Sequence, residues 1–67
     1  MLNQQDMTET AAAVYHFLPS DKWVSVRAMV GITGVSEPRC QLILTQLVIA
    51  GLAKDNGKYG NKFKRCQ

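Results

Sequence analysis

The sequence predicts a small α+β domain with three helices and an antiparallel sheet of two or three strands. Three segments show the apolar spacing of helices, each with a capping residue in front of it. The segment after Gly51 contains Asn56-Gly57, a strong hairpin turn signal, between two strand-like runs. A length of 67 residues with 46% hydrophobic and 19% charged residues is typical of one globular domain. We therefore expect residues 1–67 to form a single domain, with residues 1–5 disordered.

The first helix is expected to begin after Asp6, with Glu9 reaching back to complete a capping box. Pro19 is expected to end it. Apolar residues recur between these points with the spacing of one helical stripe: Met7, Ala11, Val14 and Leu18. His16 falls on the opposite side of the helix, so we interpret it as a solvent-facing histidine rather than a ligand or base.

A short first strand is predicted at Trp23 and Val24. The Trp23 ring could offer a surface on which a nucleobase stacks, but packing of the sheet against the first helix is the interpretation we favour. Ser25 is the predicted N-cap of a second helix over residues 26–33. Gly34 supplies the positive backbone angle that lets the chain turn sharply after it.

A third helix is predicted over residues 37–50, with Ser36 as its N-cap and Gly51 as its terminator. At 100° per residue, three side chains define its buried direction: Cys40, Leu44 and Leu47. Ile43 lies at the border of that direction. The outward direction holds a mixture of apolar and polar residues: Pro38, Leu42, Thr45 and Ile49, flanked by Arg39, Gln41 and Gln46.

The C-terminal segment is predicted to be a basic hairpin, with strands over residues 53–55 and 61–66. Phe63 is expected to face the core, while Lys62 and Lys64 point outward with the alternation of a strand. Asp55 is the one acidic residue after residue 52, so the net charge of this segment is +4. Its five cations are Lys54, Lys58, Lys62, Lys64 and Arg65. A pI near 9.1 and this clustering favour a polyanionic partner over a merely solvated basic surface.

Several function classes are disfavoured by the sequence. The longest apolar stretch is far shorter than the ~18 residues that span a bilayer, and no secretory signal is evident, so we expect a cytoplasmic protein without membrane contact. Cys40, Cys66 and His16 are too few for a four-ligand zinc site, and Cys40 is expected in the core. No spacing assembles a nucleophile with a base, and no phosphate-binding glycine loop is present. We expect no enzyme, no metal and no cofactor.

The order of motifs from residue 24 to residue 52 carries a family likeness. It reads Val-Ser-Val-Arg-Ala-Met, then Gly34-Val35-Ser36, then Leu44-Thr-Gln-Leu47 and finally Gly51-Leu52. With the basic hairpin that follows, the chain resembles the winged helix-turn-helix superfamily of small bacterial and phage transcription regulators, over about residues 10–66.

The resemblance implies that the third helix enters the major groove of double-stranded DNA and that the basic wing, residues 54–65, contacts the phosphate backbone. It implies these DNA-binding residues: Arg27, Ser36, Arg39, Gln41, Leu42, Thr45, Gln46, Lys54, Lys58, Tyr59, Lys62 and Lys64. A single module of this size buries little DNA surface, so a homodimer or a protein partner is expected through Leu42 and Ile49 or through the first helix.

An alternative remains open, because the same fold also serves as a protein-docking module. Exposed aliphatic residues at helical spacing often mark a protein interface. In that case Leu42 and Ile49 would anchor an antirepressor or adaptor on its partner.

Overall fold

Three helices and three short strands make up the structure, a computed structural model that describes residues 8–56 and 62–66. Their order along the chain is α1 (Glu9–Phe17), β1 (Val24–Ser25), α2 (Val26–Thr33), α3 (Glu37–Ile49), β2 (Ala53–Asp55) and β3 (Lys62–Arg65). The predicted α+β class is confirmed. The expectation of disorder for residues 1–5 and the predicted turn at Gly57 concern residues outside the described ranges.

Helix α1 begins at a different cap from the one predicted. Thr8 is the N-cap, and its hydroxyl accepts a hydrogen bond from the Ala11 amide at 3.1 Å. The prediction of Asp6 as the cap is therefore wrong, because the Thr8 hydroxyl reaches the amide three residues ahead and fixes the first turn there. Asp6 and Met7 themselves lie outside the described residues. The end of α1 at Phe17, just before Leu18 and Pro19, is as expected.

Helix α2 has the predicted bounds because both of its ends carry strong local signals. The Ser25 hydroxyl accepts a hydrogen bond from the Ala28 amide at 3.1 Å. At the other end Gly34 has φ 75°, and its amide donates to the Val30 carbonyl at 2.8 Å. This left-handed residue turns the chain toward α3 within a few residues.

Helix α3 begins at Glu37 as predicted and ends at Ile49, one residue earlier than expected, with Ala50 as its C-cap. Gly51 follows with φ 78°, the left-handed conformation that terminates the helix. Ser36 has the extended backbone of an N-cap, but its side chain makes no capping hydrogen bond. The predicted position of the cap is thus confirmed, although the Ser36 hydroxyl does not contribute to it.

The sheet has the order β1-β3-β2, and both pairings are antiparallel. Phe63 of the central strand lies opposite Val24 on one side and Asp55 on the other. It is buried, as predicted. Strand β3 ends at Arg65 rather than at residue 66, where the Cys66 amide instead donates to the Leu52 carbonyl at 3.0 Å.

All three helices and both hairpin strands contribute to one core. Its buried residues are Ala11, Val14, Leu18, Val26, Met29, Cys40, Ile43, Leu44, Leu47, Ala53 and Phe63. The core position predicted for Cys40 is confirmed, and burial raises the pKa of its thiol. No helix in residues 8–56 and 62–66 has the length and apolar character that a membrane span requires.

Candidate nucleic-acid interface

Helix α3 turns one side to the core and the other to solvent. Four side chains hold it against the rest of the fold: Cys40, Ile43, Leu44 and Leu47. The opposite side is exposed, as the helical spacing predicted: Pro38, Arg39, Gln41, Leu42, Thr45, Gln46 and Ile49. Because four buried side chains anchor the helix, the exposed residues project from a fixed support. We call these seven residues the α3 face.

Gln41 and Thr45 are hydrogen-bonded to each other one turn apart on the α3 face. Gln41 Nε2 donates to Thr45 Oγ1 at 3.3 Å, and Thr45 Oγ1 donates to the main-chain oxygen of Gln41 at 2.9 Å. The Thr45 hydroxyl proton is therefore committed to the helix backbone. Gln41 keeps its carbonyl oxygen and one N–H group, an acceptor and a donor that match N6 and N7 of adenine.

The pairing of Gln41 with Thr45 was not foreseen as a contact, although both residues were predicted at the site. Its signal was present in the sequence, because residues four apart on a helix are neighbours. The contact restricts the Gln41 side chain before any ligand arrives. An oriented amide loses less conformational freedom on binding than a freely rotating one.

Two further predicted residues lie at helix starts. Arg27 is exposed in the first turn of α2, directly after the Ser25 cap. Ser36 is exposed in front of α3, and its hydroxyl is not used for capping. The start of a helix presents unpaired amides and the positive end of the helix dipole, so both positions favour an anion such as phosphate.

Three lysines share the side of the sheet that points away from the core. Phe63 is buried, so its neighbours Lys62 and Lys64 point the opposite way, as predicted. Lys54 lies directly opposite Lys64 across the β2–β3 pair and shares that side. Trp23 joins them, because the Lys64 Nζ lies 4.8 Å from the centroid of its ring. We call these four residues the outer sheet face.

The favoured interpretation of Trp23, packing of the sheet against the first helix, is wrong. Trp23 is 42% exposed and lies outside the core, whereas the neighbouring Val24 packs against the core. Alternation along an extended chain then places Trp23 on the other side. The remaining alternative, an accessible aromatic surface, is the one that agrees with its exposure.

Arg65 is separated from the three lysines. It follows Lys64 along β3 and so faces the inner side of the sheet, opposite the buried Ala53. Its guanidinium lies 5.5 Å from the Tyr15 ring centroid on α1, and it is half-buried. The positive charge of the hairpin is therefore divided between the two sides. Lys58 and Tyr59, also predicted at the site, lie outside the described residues.

Apart from Arg27 and Ser36, the predicted site residues that the structure describes belong to two surfaces, the α3 face and the outer sheet face. Within the described residues, no three histidine, cysteine or acidic side chains lie close enough to hold a metal ion. Comparisons with family models, curated proteins and solved structures found no match for this chain. The chemistry of the two surfaces is therefore the basis for assigning a function.

Proposed function

We propose that this chain is a small DNA-binding transcription regulator of the winged helix-turn-helix type, acting in the cytoplasm. In this proposal α3 is the recognition helix in the major groove, and the β2–β3 hairpin is the wing. The observation that carries it is the α3 face, where Arg39, Gln41 and Gln46 are exposed on a helix anchored by four buried side chains. Arginine and glutamine are the side chains that read guanine and adenine edges through paired hydrogen bonds.

The lysines of the hairpin support the same proposal through their charge. Contacts from cations to phosphates provide affinity without sequence information, while contacts to base edges discriminate between sites. Lys54 and Lys62 are exposed, Lys64 is half-buried, and Arg27 lies at the start of α2. The proposed wing also includes Lys58 and Tyr59. A single module buries roughly 600–1,000 Å² on DNA, so we propose that a dimer or partner protein completes the specificity.

The test is binding of a fluorescent random-sequence duplex at several salt concentrations. We expect log affinity to fall linearly with log salt, and Lys62→Gln to weaken binding several-fold at low salt. Lys22→Gln is the matched control, because Lys22 is also exposed but lies before β1, outside the hairpin. A flat salt response, or equal effects of the two variants, would rule out DNA binding through the hairpin.

A second candidate function, docking on another protein, is favoured by two exposed aliphatic side chains. Leu42 is 57% exposed and Ile49 is 81% exposed, both on α3. Leu42→Asp separates the two functions. Between α3 and DNA it places a carboxylate against phosphate and reduces duplex affinity by roughly tenfold or more. If α3 instead binds protein, duplex affinity is retained in Leu42→Asp.

A further inference from the structure

We propose that the outer sheet face is a second nucleic-acid surface, one that binds single-stranded nucleic acid. In this arrangement a base stacks on Trp23, and Lys54, Lys62 and Lys64, which lie beside the ring on β2 and β3, contact neighbouring phosphates of the strand. The three lysines, on β2 and β3, also belong to the proposed wing, but the stacking ring of Trp23 and the single-stranded ligand have no part in the duplex contact centred on α3. This inference therefore goes beyond the proposed function.

The first argument is the position of Trp23. It is a large aromatic ring, 42% exposed, in a small domain whose core is built without it. The Lys64 Nζ lies 4.8 Å from the ring centroid, a cation–π contact that restricts the orientation of the ring. Base–aromatic stacking needs an accessible ring in a fixed orientation and tolerates any base, because every base has a π-face.

The second argument is the charge around the ring. Lys54 and Lys64 face each other directly across the strand pair, an arrangement of like charges that destabilises a sheet. Lys62 lies two residues before Lys64 on the same side, roughly 7 Å along the strand. Three cations on one side of a small sheet attract a chain of regularly spaced anions, and such a ligand relieves the repulsion between Lys54 and Lys64.

Nucleic acid fits this surface better than an acidic peptide does. A peptide of aspartate and glutamate residues would pair with the lysines but offers no flat group for Trp23. A polynucleotide alternates phosphates with aromatic bases, which matches a ring bordered by cations. In a duplex the base faces are stacked inside the helix and are not accessible to Trp23. The geometry therefore points to a single strand.

The chain contains one tryptophan, so its fluorescence reports directly on this surface. The 67-residue chain is titrated with an oligothymidylate of about 12 nucleotides, within the site sizes of single-strand binders. We expect saturable quenching of Trp23 emission. A fluorescently labelled oligothymidylate gives affinities for the variants. Trp23→Leu should weaken binding roughly tenfold, and Trp23→Phe, which keeps an aromatic ring, should restore most of the loss.

Lys54→Gln provides a test that leaves the ring in place. We expect it to weaken oligothymidylate binding and to reduce the salt slope by about 0.7, the value for one phosphate contact on a single strand. Arg39→Gln, which removes an exposed cation of the α3 face, should change neither quantity. Circular dichroism and thermal unfolding establish that each variant is folded before its affinity is interpreted.

Three results would overturn the inference. One is the absence of Trp23 quenching by oligothymidylate, and another is equal quenching by polyglutamate, which would indicate a general anion surface. The third is a Trp23→Leu variant that weakens duplex binding as much as it weakens oligothymidylate binding, because the bases of a duplex are not accessible to the ring. Arg39→Ala on α3 separates this surface from the proposed function, because it should weaken duplex binding only. If the parent protein binds oligothymidylate but not duplex, the proposed function is rejected and the inference stands; if it binds duplex but not oligothymidylate, the inference alone is rejected.

Discussion

The guanidinium of Arg65 lies 5.5 Å from the ring centroid of Tyr15 and so connects β3 to α1. The Arg65 amide adds a hydrogen bond to the Pro19 carbonyl at 2.8 Å, just beyond the end of the same helix. Cation–π contacts of this kind stabilise a fold by roughly 0.5–1 kcal/mol at partly exposed sites. Arg65 therefore stabilises the packing of the sheet against α1, although in the sequence it is one of the clustered basic residues of the hairpin.

This position of Arg65 predicts a difference between two cations of one strand. If all five hairpin cations contacted phosphates, the slope of log duplex affinity against log salt would be near −4.5. Without a phosphate contact from Arg65 the slope is about −3.6. We expect Arg65→Gln to leave the slope of duplex binding unchanged and to lower the free energy of unfolding by about 0.5–1 kcal/mol. Lys62→Gln should reduce the slope by about 0.9 and leave stability nearly unchanged.

Fluorescence anisotropy at several salt concentrations and urea denaturation measure the two quantities independently. Arg65 acts as a phosphate ligand instead if Arg65→Gln reduces the salt slope as much as Lys62→Gln does. Equal stability of Arg65→Gln and the parent protein would contradict the structural role of its contact with Tyr15.

The hydrogen bond between Gln41 and Thr45 predicts a graded loss of sequence discrimination. Gln41→Ala should reduce the preference for adenine at one position by about 1–3 kcal/mol, the value of one bidentate contact. Thr45→Val keeps the shape of the side chain but releases the Gln41 amide, so we expect a smaller loss at the same position. Binding to random duplex should change little in either variant.

Selection of binding sites from a randomised duplex library measures this discrimination. Thr10→Val in α1 is the matched control, because it makes the same change on a helix away from α3. Effects of Gln41→Ala and Thr45→Val at two different base pairs would contradict a shared role in reading one base.

Gly31 and Gly34 should respond to alanine with opposite signs. A Cβ added at either position meets no atom within 4 Å, so packing does not distinguish the two sites. Gly31 lies inside α2, where alanine stabilises a helix by about 0.5–1 kcal/mol relative to glycine. Gly34 has φ 75°, which costs an alanine about 1 kcal/mol or more. Thermal unfolding should therefore show Gly31→Ala melting above the parent protein and Gly34→Ala melting below it; a rise in both would contradict the strain at Gly34.

The sequence predictions succeeded mainly for features that depend on residues close to one another along the chain. The bounds of α2 were predictable because Ser25 and Gly34 act within a few residues of themselves. The buried and exposed sides of α3 followed from helical geometry, because the helix is long enough to show its periodicity. The start of α1 was missed because Asp6 and Thr8 both favour the cap position, and only the hydrogen bond to the Ala11 amide selects between them.

Contacts between segments that are distant along the chain could not be predicted from the sequence. Strand β1 has only two residues, too few for alternation in the sequence to assign a side of the sheet to the preceding Trp23. The side became clear only from the pairing of β1 with β3. The contact of Arg65 with Tyr15 requires α1 to lie beside β3, which no local pattern indicates. Residue types at the candidate site were therefore predictable, whereas their division between the α3 face and the outer sheet face required the fold.

The two cysteines provide a prediction about reactivity and pH. Cys40 is fully buried and Cys66 is half-buried, so Ellman's reagent should modify one thiol rapidly and the second only as the protein unfolds.

Burial raises the pKa of the Cys40 thiol above its value in the unfolded chain. The native state then holds this proton more tightly than the unfolded state does. The stabilising contribution is complete below the unfolded pKa, about 8.5, and is lost as the pH rises through the folded value.

Urea denaturation at several pH values between about 7 and 10, a range that includes the ordinary thiol pKa, measures this contribution to the free energy of unfolding. We expect the free energy of unfolding to fall above about pH 8.5 and to fall less steeply in Cys40→Ala, because the alanine has no proton to lose. The same pH dependence in Cys40→Ala and in the parent protein would show that the Cys40 thiol does not set stability at alkaline pH.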